Sequence, residues 1–319
     1  MNRRDFLIGS LLAGLGASLF GCRRAESPAQ ANTDGKIGRN RWQAGPVNGV
    51  DVSAARGASA AAALTSALAA FGGLSAFVKP GDHVLIKPNL AWSRTPEQAA
   101  CTSPEALTAV IAACREAGAQ DVIVADHACD SGSIAFEMSG AKAVCAAAGV
   151  ELVDWSSKQL YQSVQLAQGQ TLRDDLVPSD LLDCDVYINL PTLKVHNASV
   201  VTLGLKNQMG CVFDRGRYHA ERGAAGANNL HRNIVDLATA LRPTLNILDA
   251  TRALKTNGPK GPGVVEELGI VCASPNICAV DAYGAKLLGH DPASIPHIVM
   301  ASQAGLGEHD LTKLTVKEV

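Results

Sequence analysis

The sequence predicts a single α/β domain whose mainly parallel, twisted sheet carries helices on both faces, with a small hairpin excursion. Short β-branched runs alternate with polar loops and amphipathic stretches from about residue 83 onward, which is the order of βαβ units. Hydrophobic residues make up 47% of the 319 residues and charged residues only 18%, so the chain can bury a core and is neither disordered nor collagen-like. The length fits one large domain or two ordinary ones.

The first half of the domain begins with an Ala-rich helix, expected at about residues 58–71, and a strand at 83–86. Ser103 is placed to cap the next helix, Pro104 suits its first position, and Gly118 ends it. The further elements predicted here are a strand at 121–125, a helix reaching 148, a strand at 151–153 and the small hairpin between 161 and 172.

In the second half of the domain, predicted strands and helices alternate in the same way. A strand at 185–190 ends at Pro191, which keeps the following segment from continuing as an ordinary ladder strand. An apolar stripe at helical spacing predicts a helix at about 228–241. The elements expected after it are strands at 245–248 and 269–272, a rigid Gly- and Pro-rich loop at 258–263 between them, and a last helix at 276–288.

Residues 1–31 resemble a twin-arginine (Tat) export signal, because Arg3-Arg4 precede an apolar run that ends at Phe20. That run is shorter than the roughly 18 to 20 residues that span a bilayer. Two release points stay open: Cys22 ends a lipobox-like stretch and would be acylated, whereas residues 29–31 suit a conventional peptidase. We therefore expect a periplasmic or outward-facing protein that contacts the membrane through its signal or a lipid anchor. Residues 32–57 are expected to be a flexible linker and residues 58–319 the domain.

Charge and cysteine content argue against several classes of protein. The formal net charge is −2 and no basic stripe is present, so nucleic acid is not an expected partner. The nine cysteines include no C-x-x-C pair, which argues against a zinc ribbon or a ferredoxin-type cluster. No glycine-rich phosphate loop follows a predicted strand, and neither G-x-S-x-G nor H-E-x-x-H occurs.

Polar side chains follow four of the predicted strands. In open parallel sheets the ligand crevice lies beyond the carboxyl ends of the strands, so we expect the residues at these ends to share one pocket. The residues concerned are Lys87 and Asn89, Asp126 and His127, Lys194 and His196, and Asp249.

The segment 194–196 and the loops after it carry the most specific signal. In an extended segment Lys194 and His196 project to the same side, which pairs an ammonium with an imidazole that exchanges protons near neutral pH. Lys206 and Asn207 lie between two glycines that permit close backbone approach. The next loop adds Arg215, Arg217 and His219.

Together these groups predict a site for a small anionic substrate or cofactor. The catalytic residues expected to exchange protons are Lys194, His196, Lys206 and His219. The residues expected to bind the substrate are Lys87, Asn89, Asn207 and Arg217. If a metal or metallocofactor is present, the expected ligands, or the groups that orient them, are Asp126, His196, His219 and Asp249.

Three functions stay open on these residues. The first is an exported, lipid-anchored enzyme that uses the Lys, His and Asp cluster. The second is a metallocofactor-binding or redox accessory protein, for which the ligands would come from His127, His196, His219, Cys129 and Cys211. The third is a solute-binding lipoprotein, which would retain its ligand without turnover.

Several segments from about residue 80 to the end resemble the domain of unknown function 362 family. The likeness lies in residues 86–89, 190–196, 204–210, 217–219, 247–250, 258–259, 279–282 and 288–289. The resemblance implies no general reaction, because the family has none assigned. Some members resemble iron–sulfur proteins through an added segment whose cysteine spacing this chain lacks. Lys206-Asn207-Gln208-Met209-Gly210 also resembles the substrate loop of nickel-dependent hydroxyacid racemases.

Overall fold

The computed structural model describes residues 35–43, 45–220 and 229–319. The expected export signal and Cys22 lie outside the described residues. Within them, no helix combines the length and the apolar character needed to cross a membrane. The strands of this part are β1 (Val52–Arg56), β2 (His83–Pro88), β3 (Asp121–Asp126), β4 (Glu151–Asp154), β5 (Tyr161–Gln165), β6 (Asp174–Pro178), β7 (Val186–Leu190), β8 (Thr192–His196), β9 (Val200–Thr202), β10 (Leu245–Leu254), β11 (Val265–Ser274) and β12 (Val316–Glu318).

Helices alternate with the strands over most of the described ranges. They are α1 (Ala60–Ala69), α2 (Pro104–Glu116), α3 (Gly132–Met138), α4 (Ala141–Ala148), α5 (Ser179–Asp183), α6 (Gly204–Asn207), α7 (Arg215–Ala220), α8 (Leu230–Ala240), α9 (Ile277–Leu287) and α10 (Pro296–Gln303).

Ten of the strands form one sheet in the order β12-β1-β11-β10-β7-β2-β3-β4, with β8 paired to β10 and carrying β9. Pairing is parallel from β10 through β7, β2 and β3 to β4, between β10 and β8, and between β1 and β12. Pairing is antiparallel where β11 meets β1 and β10, and between β8 and β9. The prediction of a mainly parallel sheet is confirmed. A hairpin of β5 and β6 lies outside it, but β6 lies beyond the predicted range of 161–172.

Neighbouring residues of the central strands pack into two separate cores. In β2, Ile86 belongs to the core that contains α1, α2 and α4, whereas Leu85 belongs to the core that contains α8, α9 and α10. Ile188 and Tyr187 of β7 divide in the same way. Because successive side chains of a strand point to opposite faces, helices cover both faces of the sheet, as the sequence predicts.

Most of the predicted linker belongs to the domain, so that prediction is wrong for residues 35–43 and 45–57. Ile37 is buried, and its N–H donates to the carbonyl oxygen of Ala240 at 3.0 Å. Residues 52–56 form β1, which lies between β11 and β12 in the sheet. The apolar residues here are too few to give a periodic pattern, yet Val50 and Val52 are fully buried, and that burial fixes the segment.

Three further details concern individual strands and helices. Pro191 ends β7, and the chain then leaves the main path of the sheet, so that β8 pairs with β10 and β9 rather than extending β7. The predicted helix reaching residue 148 is divided into α3 and α4 by Gly140, whose φ of 80° is unfavourable for a residue with a side chain. The final helix α10 and strand β12 were not predicted.

Candidate functional site

A cavity of about 620 Å³ opens at the carboxyl ends of β2, β3 and β8. This is the edge of the sheet at which the sequence places a pocket. Arg217 and Asp249 do not line the cavity. The predicted residues that do line it are Lys87, Asn89, Asp126, His127, Cys129, Lys194, His196, Lys206, Asn207, Arg215 and His219.

The short helix α6 turns Lys206 and Asn207 into this cavity. It is held by Asp281 of α9, whose carboxylate accepts the N–H groups of Gly204 at 2.6 Å and Leu205 at 3.0 Å. Burial raises the pKa of Asp281 to about 7, although the two backbone hydrogen bonds oppose that rise. Asp281 is thus a positioning residue, a role that its place in an apolar helix stripe did not reveal.

Lys87 and Asp126 form a buried ion pair in the wall of the cavity. Nζ of Lys87 lies 2.6 Å from Oδ1 of Asp126, and the two side chains are 1% and 2% exposed. The same Nζ donates to the carbonyl oxygen of Pro88 at 2.7 Å and to Oδ1 of Asn207 at 3.3 Å, so each of its three protons has an acceptor. Oδ2 of Asp126 accepts the N–H of Leu90 at 2.6 Å. Lys87 therefore has no proton left for the substrate that it was expected to bind.

A chain of buried amides runs from the cavity across the sheet. Nδ2 of Asn89 donates to Oδ1 of Asn207 at 3.0 Å, and Nδ2 of Asn207 donates to Oδ1 of Asn189 at 2.8 Å. Nδ2 of Asn189 in turn donates to Oδ1 of Asn246 at 3.0 Å. Asn89 and Asn207 thus use these groups to join the end of β2 to α6 and α6 to β7. Asn189 and Asn246 were missed, although an amide inside an otherwise apolar strand signals such pairing.

Lys194 is buried, and it points into the cavity from β8. Its Nζ donates to Oδ1 of Asn89 at 3.0 Å and to the carbonyl oxygen of Ala100. Within the described residues no carboxylate forms an ion pair with it. Burial lowers the pKa of Lys194 to about 8, because a buried ammonium loses hydration that two neutral acceptors only partly replace.

Lys206 also lines the cavity, and only 9% of the residue is exposed. In the part of the chain that the structure describes, its ammonium has neither a hydrogen-bond acceptor nor an ion-pair partner. Burial lowers the pKa of Lys206 to about 8, and the charges of Lys194 and Arg215 add to this effect. A cation buried without a partner is costly, and such groups are typical of functional sites.

His196 is half-buried beside these two lysines. Its Nδ1 accepts the N–H of Ala198 at 3.0 Å, so the neutral ring carries its proton on Nε2. Burial, followed by the charges of Lys206 and Lys194, lowers the pKa of His196 to about 3. His196 is therefore a neutral hydrogen-bond donor near pH 7. His219 is more exposed, and desolvation by neighbouring protein and the charge of Lys206 lower its pKa as well.

His127 and Arg215 supply another wall of the cavity. Nδ1 of His127 lies 3.2 Å from the carbonyl oxygen of Val212, which favours the tautomer that leaves Nε2 as a free base. Arg215 donates to the carbonyl oxygens of His127 and, at 2.7 Å, Ala128. Since a guanidinium has five N–H groups, Arg215 retains donors for a ligand.

Trp92 and Lys260 line the cavity too, and neither was predicted to do so. Nζ of Lys260 lies 5.4 Å from the ring centroid of Trp92, a cation–π arrangement. One signal was available in the sequence, because Trp92 follows the strand end at 87–89 in a polar loop.

Gly210 packs directly on the buried ion pair. A Cβ at this position would lie 2.3 Å from Oδ1 of Asp126 and 2.6 Å from Nζ of Lys87. The close backbone approach that the sequence predicts for this glycine is confirmed, and its neighbour across the gap is the Lys87–Asp126 pair.

Two predicted site residues have structural roles elsewhere. Arg217 donates to the carbonyl oxygen of Asp174 at 2.9 Å and lies 3.2 Å from its Oδ1, which directs it toward β6 instead of a substrate. Asp249 accepts the N–H of Ser103 at 2.8 Å and the hydroxyl of Thr251 at 2.6 Å. It therefore fixes the start of α2.

The predicted metal ligands do not assemble, so that prediction is wrong for the described residues. No group of three or more His, Cys, Asp or Glu among them is arranged to hold a metal ion. The physical reason is that Asp126 is neutralised by Lys87 and Asp249 holds the start of α2. This holds for the set Asp126, His196, His219 and Asp249 and for the alternative set His127, His196, His219, Cys129 and Cys211.

Comparison with known proteins gives a family match, a relative and a structural neighbour. The family described as "Domain of unknown function (DUF362)" matches residues 84–286. The thylakoid-associated protein sll1697 of Synechocystis sp. is 34% identical over 248 residues, which cover 77% of this chain and 74% of that protein. The lactate racemase apoprotein of Thermoanaerobacterium thermosaccharolyticum superposes with a TM-score of 0.47 and 10% identity, over 79% of this chain and 61% of the racemase chain.

Proposed function

The chain belongs to the DUF362 family, and we propose that it is an enzyme that binds a small anionic substrate in the cavity at the strand ends. The observation that carries this proposal is Lys206, a buried ammonium that lines the cavity without a protein partner in the described ranges. An anion that enters the cavity would supply the missing partner.

The charges around the cavity support an anionic ligand. Among the described residues, Asp126 is the one acidic residue of the lining, and Lys87 neutralises it. The remaining charged side chains of the described lining are Lys194, Lys206, Arg215 and Lys260, of which Lys260 is paired with Asp130 at 3.7 Å. A cationic cavity in a protein with a net charge of −2 raises the local concentration of anions at the cavity. Lysine and arginine side chains together suit a carboxylate or a phosphate.

The histidines support proton transfer at the bound anion. Nε2–H of His196 would donate a hydrogen bond to a substrate oxygen, because its other nitrogen already accepts from Ala198. Nε2 of His127 and the ring of His219 would accept or return a proton, since a lowered pKa leaves each of them neutral near pH 7.

Calorimetric titration of the mature protein with pyruvate, lactate and inorganic phosphate tests this proposal. We expect saturable binding of at least one anion, which Lys206→Met weakens at least tenfold, or about 1.4 kcal/mol. Lys142→Met is the matched control, because Lys142 lies on the surface beside Glu137. Equal affinity in both variants would refute the cavity as the anion site. NMR of the ligand after incubation separates an enzyme from a solute-binding protein, which would return the ligand unchanged.

We also infer export through the twin-arginine route, with a lipid on Cys22 as the anchor. The support is Arg3-Arg4 before the apolar run, Cys22 at its end, and a relative described as thylakoid-associated. Arg3→Lys together with Arg4→Lys should retain the protein in the cytoplasm. Cys22→Ala should release it from the membrane fraction. A wild-type protein found only in the cytoplasm would contradict this inference.

A further inference from the structure

Four lysines line the cavity. Lys260 is exposed and its Nζ lies 3.7 Å from Oδ1 of Asp130, whereas the other three are buried and their amines have different surroundings. Nζ of Lys87 is in a salt bridge with Asp126 and has an acceptor for every proton. Nζ of Lys194 donates to Oδ1 of Asn89 and to a backbone carbonyl. Lys206 alone among these three has no such contact within the described residues. Its amine can therefore approach a bound molecule without breaking a hydrogen bond.

The surroundings of Lys206 also favour the neutral amine, which is the nucleophilic form. With a pKa of about 8, roughly half of these amines are neutral at pH 8, whereas an exposed lysine is neutral in less than about 1% of molecules. Burial beside another cationic group is a known way to activate a lysine as a nucleophile. Lys194 and Arg215 are the neighbouring cations here.

We propose that Lys206 is a covalent catalytic residue that forms an imine with the carbonyl group of a small carboxylate, such as a 2-oxo acid. This inference rests on the anion site proposed above and assigns its substrate class. The carboxylate of the substrate would lie against the unused N–H groups of Arg215 and the remaining proton of Lys194. Its carbonyl carbon would then face Nζ of Lys206.

The step balances without a further reactant. The lone pair of the neutral Nζ attacks the carbonyl carbon, the C=O π bond breaks, and one of the two Nζ protons passes to the oxygen to give a carbinolamine. The second Nζ proton then passes to the hydroxyl group, the C–O bond breaks, water departs, and a C=N bond remains. The Nε2–H of His196 is a donor for the departing oxygen, because Nδ1 is held by Ala198.

Reductive trapping with the mature protein tests whether Lys206 forms an imine. Pyruvate, glyoxylate and 2-oxoglutarate are each incubated with the protein and cyanoborohydride at pH 8, and the lysines are mapped by peptide mass spectrometry. Trapping adds the mass of the acid less one oxygen atom to the modified lysine. We expect modification of Lys206 to exceed that of the exposed Lys142 and Lys313 at least about tenfold, given the difference in neutral amine.

Two variants and a binding measurement distinguish failure of the imine proposal from failure of the anion site. Lys206→Arg keeps the charge but forms no imine and should abolish the trapped peptide, whereas Lys142→Arg should not change it. A circular-dichroism melt confirms that each variant folds. If none of the three acids labels Lys206 more than Lys142, the imine proposal is wrong. If calorimetry then still shows these acids bound, the anion site stands without the imine; if no acid binds, both proposals fail.

Discussion

Nζ of Lys87 lies 2.6 Å from Oδ1 of Asp126, and Gly210 packs against both atoms. The pair links the ends of β2 and β3, the two strands that carry these residues. Because Asp126 neutralises Lys87, neither charge is left to attract a ligand. The pair shapes the wall of the cavity, and Lys194 and Lys206, which have no carboxylate partner in the described ranges, set its charge.

Asp126→Asn should destabilise the protein strongly. The amide keeps the shape of the carboxylate but leaves the Lys87 ammonium buried without its counter-charge. Breaking a buried pair in this way costs about 3–5 kcal/mol, measurable as the free energy of unfolding in urea. The double variant Lys87→Met/Asp126→Asn removes both charges and should recover part of the loss. A single variant as stable as the wild type would contradict the buried pair.

Gly210→Ala should lower stability and disturb the cavity together. The added Cβ would meet Oδ1 of Asp126 at 2.3 Å and Nζ of Lys87 at 2.6 Å. Overpacking of this kind costs about 1–3 kcal/mol. Gly45→Ala is the matched control, because no atom of the described residues outside its chain neighbours lies within 4 Å of a Cβ there. It should change stability by less than about 0.5 kcal/mol. Similar urea midpoints for the two variants would rule out the close packing.

The central sheet was predictable because β2, β3 and β7 are apolar runs in the sequence. Lys87 and Asp126 lie at the ends of two of these runs, and parallel strands end at a common edge. The segment before β1 was misjudged because its burial depends on isolated residues such as Ile37, and isolated apolar residues leave no periodicity.

The chemical roles were less predictable, because they depend on partners distant in the chain. Lys87 and Lys206 look alike in sequence, yet one faces a carboxylate and the other faces the cavity. Arg217 forms an ion pair with Asp174, and Asp249 accepts a hydrogen bond from Ser103, so neither lines the cavity. A residue type at a strand end therefore predicts that a side chain is near the site, but its partners decide whether it is free to act.

Lys206→Met should stabilise the protein while it weakens anion binding. The pKa of Lys206 falls from 10.5 to about 8 in the folded state, which corresponds to about 3 kcal/mol of destabilisation from the charged form. That destabilisation is fully present below pH 8 and disappears as pH rises toward 10.5, so the gain in the variant should shrink over this interval. Urea unfolding at pH 7 and pH 10 measures it, and a variant less stable than the wild type at pH 7 would be contrary evidence.

Anion affinity should fall as pH rises through about 8. The buried Lys206 and Lys194 lose their charges near this pH, whereas Arg215 keeps its charge throughout. Calorimetric titration between pH 6.5 and 9.5 should show the decline in the wild type. Lys206→Arg should bind with a weaker dependence on pH, because its charge does not titrate in this range. Affinity that stays constant to pH 9.5 in the wild type would exclude these amines as the anion ligands.

His196 should remain neutral, with its proton on Nε2, throughout the physiological range. Its Nδ1 accepts the N–H of Ala198 at 3.0 Å, and burial together with Lys206 and Lys194 lowers its pKa to about 3. A histidine with this pKa does not titrate between pH 5 and 8, so a change of activity in that range must come from other groups. Two-bond ¹H–¹⁵N correlation spectra of labelled protein, with His196→Gln for assignment, should show an Nε2–H imidazole whose shifts are constant from pH 8 to pH 5. In Lys206→Met one positive neighbour is lost, so the pKa of His196 should rise; the assignment is wrong if the wild-type ring protonates near pH 6.5.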